Sequence, residues 1–81
     1  MTRNDIFLRI NLIFRDVFDD EGITVNETTA SDDIEDWDSL AHINLVLAIE
    51  SEFGVKFTMS EIAEFTNVGE VVDVLIPRAT K

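Results

Sequence analysis

The stretch Trp37-Asp38-Ser39-Leu40-Ala41-His42-Ile43-Asn44-Leu45-Val46-Leu47-Ala48-Ile49-Glu50-Ser51-Glu52-Phe53 decides the fold. Its spacing predicts one helix over 39–53, opened by a lone serine that follows an acid-rich loop. The unpaired N–H groups and positive dipole end of a helix favour attached negative charge, so Ser39 is well placed to bear a phosphodiester. Ser39 is the candidate functional residue. Asp38 can cap the helix and leave the serine hydroxyl facing solvent in the first turn. At 3.6 residues per turn, Leu45, Val46, Ile49 and Phe53 form an arc suited to the core, while Leu40, Ile43 and Leu47 form a second arc offset from it. That second arc belongs either to a helix buried nearly all round or to a partly exposed stripe beside Ser39 on which partners dock.

Upstream, Ile6, Phe7, Ile10, Ile13, Phe14, Val17 and Phe18 recur at three- and four-residue spacings, which predicts a helix over 5–18 capped by Asn4. Arg9, Arg15 and Asp16 fall on its other side, and Leu8 and Leu12 flank the stripe. From Asp19 to Trp37 runs a long connection, a feature that in a compact domain either serves function or is tied down. Ile23, Val25, Ile34 and Trp37 are its expected ties. Downstream, Gly54 supplies a helix stop, and Thr58 with Glu61 forms a capping box for a short helix over 59–65 anchored by Ile62 and Phe65. Asn67 with Glu70 caps a last helix over 68–76, which Pro77 ends or bends, with Arg78 and Lys81 suiting its negative end. A loose tail is expected over 77–81. The predicted architecture is all-α: a small four-helix bundle, three longer helices and one short one, with a long first loop.

A chain of 81 residues supports one domain, here 1–81. It has no cysteine, so neither a disulfide nor a thiolate metal site can form, and any thiol chemistry must come from an attached group. The net charge of −11 repels nucleic acid and anionic lipid and favours basic protein surfaces. The apolar run near the start is broken by Arg9 and Asn11 and lacks a small-residue cleavage site, and no stretch reaches transmembrane length. A cytoplasmic monomer is expected.

The acids Asp32, Asp33, Glu35, Asp36 and Asp38 raise the question of calcium. No register supplies both the glycine at the sixth position and the acid at the twelfth that an EF-hand loop needs, so no specific metal site is expected. An enzyme would use Ser39 as nucleophile, His42 as base and Asp38 as orienter. The Gly-x-Ser-x-Gly elbow is absent, with Trp37 and Ala41 in the glycine positions, and Asp38 cannot readily reach behind His42. Catalysis by the chain itself is not expected.

Asp38-Ser39-Leu40 opening an apolar helix through Leu45, Val46, Ala48 and Ile49 to Glu50, Glu52 and Phe53, within a small acidic chain, resembles the acyl carrier protein family. The resemblance runs from about Asp5 to Ile76. It implies that Ser39, supported by Asp38, bears a covalent 4′-phosphopantetheine arm, placed there from coenzyme A by a phosphopantetheinyl transferase, whose thiol holds an acyl group. It implies docking by acyl-loading and acyl-processing enzymes with basic surfaces on Leu40, Ile43, Leu47 and Glu50. In a bundle this small, Leu45, Ile49, Ile62, Val71 and Leu75 are expected to line the space between the second helix and the two after it, and to part to admit an acyl chain. Fatty-acid carriers typically have acids where this chain has Ala41 and Asn44, and many have glycine or alanine in place of Trp37. Ser51 interrupts the acidic run between Glu50 and Glu52. A specialised stand-alone member is therefore expected. The alternatives are an aminoacyl or peptidyl carrier, whose usual Gly-Gly-[His/Asp]-Ser pattern is not found at Asp36-Trp37-Asp38-Ser39, and an unmodified acidic adaptor.

Overall fold

In the computed structural model, which describes residues 2–79, four helices follow one another: α1 (Arg3–Val17), α2 (Ser39–Phe53), α3 (Met59–Glu64) and α4 (Val68–Arg78). No strand occurs among the described residues. Helix α1 starts two residues earlier than the sequence suggests, with Thr2 and not Asn4 as its cap. Thr2 accepts the Asp5 N–H through its hydroxyl at 3.1 Å, and the Asp5 carboxylate accepts the Thr2 N–H at 3.2 Å. A reciprocal box satisfies two end groups, which a lone asparagine cannot. Ile6, Ile10 and Phe14 are buried, Phe7, Ile13, Val17 and Phe18 are half-buried, and Leu8 and Leu12 are exposed.

Helix α2 resolves the question of the two arcs. Leu45, Val46, Ile49 and Phe53 are buried against α1 and α4, while Leu40, Ile43 and Leu47 are exposed at 69%, 54% and 57%. Gly54 closes the helix at φ 66°, a left-handed position that costs glycine little. Helix α3 carries the Thr58–Glu61 box and stops at Glu64, because Phe65 is drawn into extended backbone with its ring edge-on to Phe57 at 5.3 Å. Asn67 caps α4 by accepting the Glu70 N–H. Pro77 does not end α4. It lies in the last turn, where a missing N–H costs a single bond, and the Ala79 N–H still reaches the Leu75 carbonyl at 2.8 Å. Pro77, Arg78 and Ala79 are thus part of the bundle, with Ala79 packed on the core and Arg78 paired to Glu61 at 2.8 Å. The rest of the expected loose tail, including Lys81, lies outside the described residues.

The loop from 18 to 38 is tied by apolar and polar contacts together. Val25 is buried, and Ile23, Ile34 and Trp37 are packed on the core. Asn11 projects from α1 to accept the Val25 N–H at 2.7 Å, and the Arg15 Nε–H donates to the Ile23 carbonyl at 2.7 Å. Within the acid-rich part, Ser31–Asp33 forms a 3-10 turn, too short to carry a helical period in the sequence. The first N–H groups of α4, which have no helical partner, donate to the loop: Val68 to the Thr29 carbonyl at 2.8 Å and Gly69 to the Glu27 carbonyl at 3.0 Å. Arg3 clamps the junction by pairing with both Glu27 and Asp73.

Two predictions follow from these contacts. A methyl at Gly69 would lie 2.6 Å from the Glu27 carbonyl oxygen. Alanine is the better helix former by up to about 1 kcal/mol, but a clash with backbone cannot relax by a rotamer change, so Gly69→Ala should lose about 1 kcal/mol or more in urea unfolding. Glu61 is held down to about 2 from its ordinary 4.5 by the Arg78 hydrogen bond and then by the Thr58 N–H. Because the folded state depresses it, its contribution is complete above 4.5 and is lost as pH falls to about 2. Urea midpoints of wild type and Glu61→Gln should differ near neutrality and converge over that interval.

Candidate functional site

Ser39 is the first helical residue of α2, and its cap duties are performed by its neighbour. The Asp38 carboxylate accepts the Ala41 N–H at 2.8 Å, and the Asp38 carbonyl accepts the His42 N–H at 2.9 Å. The Ser39 hydroxyl is therefore exposed and uncommitted, next to the N–H groups of Ser39 and Leu40, which have no acceptor among the described residues. An exposed hydroxyl beside free N–H donors at the positive end of a 15-residue helix suits an attached phosphodiester.

Behind Ser39 opens a cavity of about 550 Å³ between α2, α3 and α4. Asp38 and Ser39 stand at its mouth, and Leu45, Ile49, Ile62 and Val71 line it. Leu75, grouped with them from the sequence, does not: it is fully buried and outside the lining, because its turn of α4 faces the packed core. The sequence reading missed the aromatic share of the wall, contributed by Phe14, Trp37, Phe57 and Phe65. Their periodicity signals burial, but nothing local says which buried side faces a hollow.

The residues of the hydrolase reading are near one another but differently engaged. Trp37 donates its indole N–H to His42 Nδ1 at 3.2 Å, and His42 Nε2 meets the Ile62 carbonyl at 3.2 Å. With both ring nitrogens occupied and the Asp38 carboxylate turned to Ala41, no Ser–His–Asp relay is assembled. Among the described residues no cluster of three His, Cys, Asp or Glu could hold a metal ion, and no helix is long and apolar enough to cross a membrane.

Leu40, Ile43 and Leu47 form an exposed stripe beside Ser39, and Met59, 81% exposed at the start of α3, lines the cavity together with Ile43. Glu50, expected to serve partners on this face, is instead half-buried and accepts the Phe57 N–H at 2.7 Å. The turn after α2 brings that N–H back to the helix, and Glu50 satisfies it. Glu52 faces α1, where it pairs with Arg9 at 3.4 Å. Helix α2 thus offers no free carboxylate along the apolar stripe, and the acids nearest Ser39 come from the loop before it.

The phosphopantetheine attachment site family matches residues 13–75 of the chain. An acyl carrier protein of Petrotoga mobilis is 32% identical over 77 residues, covering 93% of this chain and 88% of that protein. Another from Thermotoga maritima is 33% identical over 72 residues, 88% of each. The solution structure of a holo acyl carrier protein from Geobacter metallireducens superposes with a TM-score of 0.83 at 36% identity, covering 89% of this chain and 83% of that one.

Proposed function

The chain belongs to the acyl carrier protein family, and from that premise we propose that Ser39 is the attachment point of its prosthetic arm and that the cavity behind Ser39 shelters the cargo. As a member of that family it is a carrier and not an enzyme, and its prosthetic group is covalent 4′-phosphopantetheine. The group supplies a terminal thiol that holds an acyl chain as a thioester. The observation that carries the assignment is the division of labour at the start of α2, where Asp38 caps the helix and frees the Ser39 hydroxyl at the mouth of an apolar cavity. Ser39 and Leu40 N–H groups would hold the phosphate, and the branched and aromatic wall would exclude water from the chain.

A phosphopantetheinyl transferase supplies the arm from coenzyme A, and acyl-loading and acyl-processing enzymes dock on Leu40, Ile43 and Leu47. The carrier works as a cytoplasmic monomer in a dedicated pathway. Support for specialisation comes from the missing acids at Ala41 and Asn44 and from the engagement of Glu50 and Glu52 within the fold, which weaken electrostatic steering towards basic surfaces. Incubation with a transferase and coenzyme A should add one arm to the wild-type mass and none to Ser39→Ala; equal masses would refute the assignment. Fatty-acid synthesis enzymes should load and elongate this carrier more slowly than a housekeeping carrier, with rates less sensitive to salt, and matching rates would refute specialisation. The mass of the protein isolated from its source would distinguish an aminoacyl cargo or an unmodified adaptor.

A further inference from the structure

His42 joins three elements, and its bonding pattern fixes its protonation state. An indole N–H can only donate, so Nδ1, 3.2 Å from Trp37 Nε1, accepts and carries no proton. A carbonyl can only accept, so Nε2 bears the proton and donates over 3.2 Å to Ile62. Both bonds together require the neutral Nε2–H ring. The Ile62 carbonyl belongs to the last turn of α3, where carbonyls lack helical partners, and Phe65 beyond it is extended. His42 therefore caps α3 from the side. Its ring also stacks on Trp37 with centroids 6.0 Å apart, and Trp37 in turn meets Phe14 edge-on at 5.3 Å. These residues all line the cavity that has Ser39 at its mouth.

We propose that His42 is the positioning residue of this cavity: the neutral ring pins Trp37 and α3 together as the wall beside Ser39, and protonation releases Trp37 while keeping the bond to Ile62. The proposal rests on the reading that the cavity shelters a cargo tethered at Ser39. A proton on Nδ1 turns the acceptor into a donor facing another donor, so the indole must let go. Nε2–H still donates to the Ile62 carbonyl. Asp38 is the other titratable group in the lining, and its carboxylate is engaged by the Ala41 N–H. Neither acid of α3, Glu61 nor Glu64, is in the lining, nor is any titratable group of α1 or α4.

The two layers can be tested separately. In the unmodified protein, nitrogen NMR should find the Nε2–H tautomer at neutral pH. Hydrogen exchange at the Trp37 indole, corrected for its intrinsic pH dependence, should accelerate by about tenfold as His42 protonates. His42→Gln, whose amide can accept from Trp37 and donate to Ile62, should keep slow exchange without the step. The opposite tautomer, no step, or the same step in His42→Gln would overturn the proposal. In protein carrying an octanoyl arm, hydroxylamine at neutral pH should cleave the thioester about fivefold faster in His42→Ala than in wild type, with His42→Gln close to wild type. Circular dichroism checks that each variant is folded, and if His42→Ala is not, His42→Phe replaces it. Equal cleavage rates throughout would overturn the cavity role. If Ser39 accepts no arm, the cargo reading falls, and the indole exchange still decides whether His42 holds the wall.

Discussion

The seam between the long loop and the start of α4 is the constraint on which the rest of this bundle depends. Two N–H groups that a helix end leaves unpaired, on Val68 and Gly69, are matched to two loop carbonyls that would otherwise need water, on Thr29 and Glu27. Arg3 of α1 grips Glu27, and Asn11 further along α1 grips Val25 just before it. A 21-residue connection between 18 and 38 is thereby converted into a shaped segment that delivers Trp37, Asp38 and Ser39 to fixed places at the head of α2. Without that seam, the hydroxyl would still open a helix, but the cavity would lose the indole that forms part of its wall.

Charge tells a second story about this surface. The chain is strongly acidic, yet the acids of α2 are directed away from the apolar stripe, Glu50 to the Phe57 N–H and Glu52 to Arg9. What lies beside Ser39 is consequently greasy along the helix and acidic only on the loop side. Contact with such a face depends on shape and burial more than on long-range attraction, and burial escapes the screening that weakens charge steering.

Periodicity and end signals made much of the fold legible. Angles at 3.6 residues per turn separate Leu40, Ile43 and Leu47 from Leu45, Val46 and Ile49, and the packing of the bundle decides that the first set is exposed. The Thr58–Glu61 box, the Asn67 cap and the Gly54 stop each depend on contacts within a few residues, which is why they could be foreseen. The readings that failed depend on distance along the chain. Asn11 looked like a mere interruption of an apolar run and is a bracket for a loop 14 residues away. Glu50 looked like a surface acid because the backbone that returns to α2 at Phe57 is not visible from α2 alone. Leu75 lies one turn from Val71 on the same face, and only the packing of the bundle decides that Val71 meets the hollow and Leu75 the core. His42 shows the same limit, since its partner Ile62 lies 20 residues on.

Trp37 is the sole tryptophan of the chain, and it sits half-buried in the cavity wall two residues from Ser39. Indole emission responds to local polarity and to neighbouring rings, so the molecule carries an optical probe in the wall of the cavity. Occupancy of the hollow could then be followed in real time, with no label and no altered residue.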